Sequence, residues 1–201
     1  MDLKAVSTIY TKPFLELLYD AHTVHREHQP ANTIQMAQLL SIKTGACPED
    51  CGYCSQSGHH NTALKKERLM CLDDVLTEAK KAKNSGATRF CMGAAWRSPP
   101  EKAMPEIASM IKAVKALGLE TCMTLGMLSE AQSQSLKAAG LDFYNHNIDT
   151  SPGYYEKVTK TRTFSDRLAT LKHVQDADIQ VCCGGILGIG ETREDRIAFL
   201  H

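Results

Sequence analysis

Three cysteines in the run CPEDCGYC, Cys47, Cys51 and Cys54, put three thiols within a span of eight residues. Three thiolates can each hold one iron of a four-iron cubane, which leaves the fourth iron free to bind a substrate directly. The same spacing suits zinc, with His59 or His60 of SQSGHH as a fourth ligand. Free cysteines also pack as small apolar side chains, so the run alone leaves three readings open. A second set is dispersed, with Cys91 in RFCMGAA, Cys122 in ETCMTLG, and Cys182 and Cys183 in IQVCCGGILG. Neighbours in a strand face opposite ways, so only one of Cys182 and Cys183 can point into a shared interior. Cys71 lies between elements in ERLMCLDD and reads as structural or surface.

The segment YNHNIDT, residues 144–150, offers amide and carboxylate groups. In an extended chain Asn145, Asn147 and Asp149 share one side and His146 takes the other. That array suits ribose hydroxyls and a cyclic urea, which both donate and accept; the same residue types also form local turns. His22, His25 and His28 fall at helical spacing, which fits a solvated face better than a metal site.

These residues need a scaffold, and the hydrophobic pattern supplies one. Val75, Leu76, Ala79 and Ala82 recur at helical spacing before Gly86, and residues 89–95 then read as a strand. Met104, Ile107, Ile111 and Val114 repeat the unit before Gly118 and a strand over 120–126. A third helix opens on Ser129 and Gln132 in capping-box positions and ends at Gly140, before a strand over 142–149. A fourth carries Phe164, Leu168, Leu171 and Val174 and leads to a strand over 179–188; residues 35–45 make the first strand. This βα rhythm predicts an α/β fold, a TIM-type (β/α) barrel with its chemistry at the strand C-terminal ends. About five of eight units are expected, with the barrel cut short at its C-terminus. Residues 1–34 read as a helical N-terminal cap and 35–201 as the partial barrel domain.

With 43% hydrophobic and 23% charged residues, the composition is that of a globular domain. Lysine plus arginine and aspartate plus glutamate both number 23, so no basic excess draws the chain to nucleic acid or anionic lipid. No apolar stretch approaches a membrane span, and the N-terminus lacks a signal-peptide layout. The expected setting is cytoplasmic, where a reducing milieu favours metal or redox use of cysteine over disulfides.

The loop pattern CxxxCxxC resembles the radical S-adenosylmethionine superfamily, and the run SIKTGACPEDCGYCSQS, residues 41–57, is similar to the biotin synthase family. The resemblance implies a [4Fe-4S] cluster on Cys47, Cys51 and Cys54, whose open iron takes the methionine moiety of S-adenosylmethionine. It further implies a [2Fe-2S] cluster on Cys91, Cys122 and Cys182, completed by an arginine on a later strand; Cys183 stands where the family commonly has a small residue. For S-adenosylmethionine the implied contacts are Tyr53, Gly93, Ala94, Ala95, Asp149, Arg167 and Ile186, and for dethiobiotin Asn145 and Asn147. The implied reaction uses two successive deoxyadenosyl radicals to take hydrogen from C9 and C6 of dethiobiotin, with sulfide from the smaller cluster closing the ring. A flavodoxin-type electron donor and a homodimer are implied for the full-length enzyme. The rival readings are another radical enzyme on the same barrel, of hydrogenase-maturase type, or a non-catalytic iron–sulfur or zinc protein.

Overall fold

The computed structural model describes residues 1–201. Five strands form one parallel sheet in sequence order, β1 (Ala37–Lys43), β2 (Arg89–Ala94), β3 (Glu120–Thr124), β4 (Phe143–Asn145) and β5 (Gln180–Cys182). Parallel neighbours require a crossover, and helices α3 (Leu72–Asn84), α4 (Met104–Ala116), α5 (Glu130–Ala138) and α7 (Phe164–Asp176) provide it between successive strands. Two helices, α1 (Leu3–Tyr10) and α2 (Phe14–His28), precede the sheet. A short α6 (Tyr155–Val158) lies before α7, and α8 (Arg193–Leu200) follows β5. Sequential parallel order with helices between the strands is five βα units of a (β/α) barrel, as the periodicity predicts.

Alternation along the strands sorts two faces. Ile42, Phe90, Met92, Met123 and Tyr144 are buried against Val75, Ala79, Ile107, Met110, Ile111 and Leu136 of the helices. Arg89, Cys91 and Gly93 take the opposite, concave face of β2. Helix starts are well specified, since Ser129, Thr163 and Thr192 each close a capping box with Gln132, Asp166 and Asp195. The fourth helical stripe differs from its prediction. In α7 the buried residues are Arg167, Thr170 and Val174, while Leu168 is exposed, because this helix turns a cation toward the strand ends.

Strands four and five are shorter than their apolar runs predict. Regular pairing stops at Asn145 and Cys182, and beyond it only an isolated bridge joins Asp149 to Gly185. Asp149 has a φ of 67°, so the chain turns here instead of running on extended. His146 consequently does not face away from its polar neighbours; it is buried beside them. No helix is long and apolar enough to cross a membrane.

Candidate active site

The C-terminal ends of the strands surround a cavity of about 270 Å³. Its rim is the cysteine loop after β1, and its walls are the tips of β2, β3 and β4 with two arginines from the segment around the start of α7. Cys47, Cys51, Cys54, Tyr53, Gly93, Ala94, Ala95, Asn145, Asn147, Asp149 and Arg167 all line it. Ile186 does not; its N–H donates to the Asp149 carbonyl at 2.8 Å, so it braces the wall from behind.

The cysteine loop holds its shape through its own backbone. Cys47 N–H donates to Gln56 O at 2.9 Å, Gly58 N–H to Cys47 O at 2.8 Å, and Cys54 N–H to Cys51 O at 3.0 Å. Gly45 permits the turn into the loop, with φ 71°, and a Cβ there would stand 2.7 Å from Lys65 O. The buried Lys43 ammonium donates to Gly45 O and, at 2.7 Å, to Ala95 O, tying the loop to the tip of β2. Cys51 is buried, and Cys47 and Cys54 are half-buried. Burial raises the pKa of Cys47 and Cys51, with neighbouring Arg162 working the other way on both.

Both histidines weighed as zinc ligands are otherwise engaged. His59 Nε2 lies 3.0 Å from Pro48 O, and His60 Nε2 lies 2.9 Å from Cys51 O. No three His, Cys, Asp or Glu side chains converge on one point. A cubane takes one thiolate at each of three separate irons, so three cysteines suffice without a histidine as fourth ligand. Three partly shielded thiols at a cavity mouth, with no histidine turned toward them, are a donor set that fits a cubane.

Below the mouth, Cys91 and Cys122 are register partners on β2 and β3. Each lies two residues before a cavity-lining residue, Gly93 and Thr124 respectively, so the pair forms the floor. The two thiols are close enough to share a proton, which lowers the pKa of Cys91 and raises that of Cys122. Cys182 sits level with Asn145, whose Nδ2 donates to its Sγ at 3.3 Å. Cys183, just past the end of β5, is exposed. Three thiols on the concave face of three strands again form a sulfur donor set suited to iron. The remaining thiol, Cys71, is exposed at the start of α3 and donates to Asp74 at 3.1 Å.

The polar wall is more interlocked than the sequence indicates. Asp149, 1% exposed, accepts from Tyr53 Oη at 2.9 Å and from Arg167 Nη2 at 2.7 Å. Burial and the Asp149 charge raise the Tyr53 pKa, which keeps the phenol a donor. Arg167 Nε and Arg162 Nε both donate to Tyr155 Oη, at 3.0 and 3.1 Å. His146 is lowered to about 3 by burial and then by Arg167 and Arg162, so it stays neutral; its Nε2 is buried without a partner. Gly126, with φ 88°, brings the chain across Trp96 and Arg97, and the buried Tyr144 hydroxyl donates to its carbonyl at 2.6 Å. Lys43, Glu49, Gly126, Tyr144, His146 and Arg162 all shape the cavity. Of these only His146, inside YNHNIDT, stands out in the sequence; Arg162 lies between α6 and α7, where no periodicity marks it.

The sequence matches the Radical SAM superfamily over residues 41–201. It is 66% identical over 195 residues to the biotin synthase of Legionella pneumophila strain Corby, covering 97% of this chain and 62% of that protein. To the biotin synthase of Acinetobacter baylyi it is 58% identical over 196 residues, covering 98% of this chain and 60% of that one. The chain thus spans somewhat under two thirds of the length of these relatives. Among solved structures, methylornithine synthase (PylB) superposes with a TM-score of 0.80 at 18% identity, over 99% of this chain and 59% of its own. The [FeFe]-hydrogenase maturase HydG gives 0.79 at 18%, over 100% and 46%. At such identity these two likenesses speak to the fold.

Proposed function

The chain belongs to the radical SAM superfamily, and on that footing we propose that it acts as a biotin synthase, converting dethiobiotin to biotin by sulfur insertion. Members of this superfamily use a [4Fe-4S] cluster and S-adenosylmethionine. The observation that carries the narrower reading is the stacking of two sulfur sets on one concave face, Cys47, Cys51 and Cys54 at the mouth and Cys91, Cys122 and Cys182 in the strands beneath. One set suffices to generate a radical; a second, beneath the substrate space, suits a sulfur donor.

When bound, the cubane and S-adenosylmethionine supply a radical able to take hydrogen from an unactivated carbon, and a [2Fe-2S] cluster supplies sulfur. The protein's part is binding, orientation and exclusion of water. Cys47, Cys51 and Cys54 hold the first cluster, and Cys91, Cys122 and Cys182 hold the second. Tyr53 and the small tips Gly93, Ala94 and Ala95 leave room for S-adenosylmethionine, and Ile186 supports the adenine side from behind the wall. Arg167, fixed by Asp149 and Tyr155, directs its remaining donors to the methionine carboxylate. Asp149 keeps acceptor capacity toward ribose hydroxyls, and Asn145 and Asn147 present amides to the cyclic urea. A flavodoxin-type reductant, a homodimer and a cytoplasmic setting go with this reading, since clusters on free thiols require reducing conditions.

Anaerobic reconstitution tests it. The chain should take up iron and sulfide, give a paramagnetic signal on reduction, and lose that signal in Cys51→Ala. The present chain alone should not turn dethiobiotin over; in a chain extended through the later strands, biotin should form, and its formation should fall below detection in Cys51→Ala and in Cys122→Ala. Uptake of zinc without iron or sulfide would sink the proposal.

A further inference from the structure

One buried cation touches a thiol of the cysteine loop. Arg162, 8% exposed, brings Nη2 to 3.0 Å from Cys51 Sγ. Its Nη1 lies 4.0 Å from Glu49 Oε2, and Nη2 lies 3.8 Å from Asp149 Oδ2.

The segment that carries Arg162 has no helix or strand of its own; it runs from the end of α6 to the start of α7. Its placement comes from the cysteine loop. Asp50 Oδ1 accepts from Thr159 Oγ1 at 2.6 Å, from Lys160 N–H at 3.0 Å and from Thr161 N–H at 3.1 Å. Gly52 N–H donates to Val158 O at 2.8 Å, and Thr161 Oγ1 donates to the buried Glu49. Arg97 adds a charge contact to Glu49 at 3.0 Å, out of line for a directed hydrogen bond. The loop that presents the thiols therefore also grips the strand of chain that aims a guanidinium at one of them.

Resting on the reading of Cys51 as an iron ligand, we propose that Arg162 is a positioning residue that raises the reduction potential of the cubane, and that Asp50 holds it in place. Reduction adds one negative charge to the cluster. A guanidinium shielded from water and bonded to a ligand sulfur stabilises the reduced form through its charge and through that bond. Arginine stays protonated at every working pH, so its contribution does not vary between pH 6 and 9.

The test compares the full chain, reconstituted anaerobically, with Arg162→Gln, Arg162→Lys and Asp50→Asn. Iron and sulfide are counted first, and the potential is then read by mediator titration of the paramagnetic signal. Arg162→Gln should lower the reduced-to-oxidised ratio at a fixed poise about tenfold, a shift of about 59 mV for one electron. Arg162→Lys, which keeps the charge but not the planar fork, should recover part of that shift. Asp50→Asn, which frees the segment without removing the guanidinium, should move the potential the same way by less. The difference between parent and Gln variant should be constant from pH 6 to 9. Unchanged potentials in variants that load a full cluster overturn the role of Arg162 while leaving the cubane reading intact. A parent that assembles no cubane overturns both. Should Arg162→Gln fail to load iron, the Lys and Asn variants decide the matter by the same measurement.

Discussion

At the scale of single residues, the cavity depends on positions where the backbone leaves no room for a side chain. Gly126 has φ 88°, and a Cβ there would lie 2.4 Å from Arg97 O and 2.5 Å from Trp96 O. Both neighbours are backbone atoms, so they yield only if the β2 and β3 tips separate. Gly126→Ala should destabilise by about 3 kcal/mol, the range of backbone strain combined with overpacking. Gly86 provides the control. It has φ 90° with nothing within 4 Å of its would-be Cβ, so Gly86→Ala should cost only about 1 kcal/mol of left-handed strain. Urea denaturation of the two variants checks the difference; equal losses would mean that crowding at Gly126 relaxes freely.

At the scale of elements, Asp142 links three of them just before β4. Its carboxylate accepts from Thr121 N–H at 2.9 Å and Thr121 Oγ1 at 3.1 Å on β3, and from Lys115 Nζ at 2.7 Å on α4. Burial works to raise its pKa, but the bonds from Lys115 and Thr121 prevail and lower it. Because the folded value lies below the ordinary value near 3.9, the stabilisation is fully present above that pH and is lost as pH falls through the folded value. Asp142→Asn should therefore cost about 1 kcal/mol at pH 7, and the gap to wild type should narrow below about pH 4. Urea midpoints at pH 7 and pH 3.5 test this. The linkage also marks the limit of what the sequence conveys. Helix periodicity, capping boxes and apolar runs are local, so Ser129 with Gln132 and the Met104–Val114 stripe were legible. The thiols were legible because cysteine is a rare residue with restricted uses. Asp50 gripping Thr159 to Thr161, Lys43 reaching Ala95, and Tyr144 bracing Gly126 join residues far apart in the chain, and no local pattern records them. Strand ends were overextended for a related reason. YNHNID and CCGGILG keep apolar and alternating character after ladder pairing has stopped, and the left-handed turn at Asp149 leaves no compositional mark.

At the scale of the molecule, α2 stands apart from the core. It buries none of its fifteen residues, and Phe14, Leu15, Leu18 and Tyr19 are 53–76% exposed. A cluster of large apolar groups on one helix promotes association in water. Leu15→Glu with Leu18→Lys should reduce self-association of this chain, seen as a lower weight-average mass in sedimentation. Its unfolding free energy should change by no more than about 0.5 kcal/mol, as for surface positions generally.

The grip of Asp50 on Thr159 and Thr161 joins positions 109 and 111 residues apart. Drawing a flexible segment of that length into a closed loop costs about 4 kcal/mol of chain entropy, which the strands and helices between the two positions offset by packing. A polypeptide growing from its N-terminus exposes the CPEDCGYC thiols well before the residues that will cover them have been made. The order of the chain itself thus separates the making of the thiols from the making of the segment that closes over them.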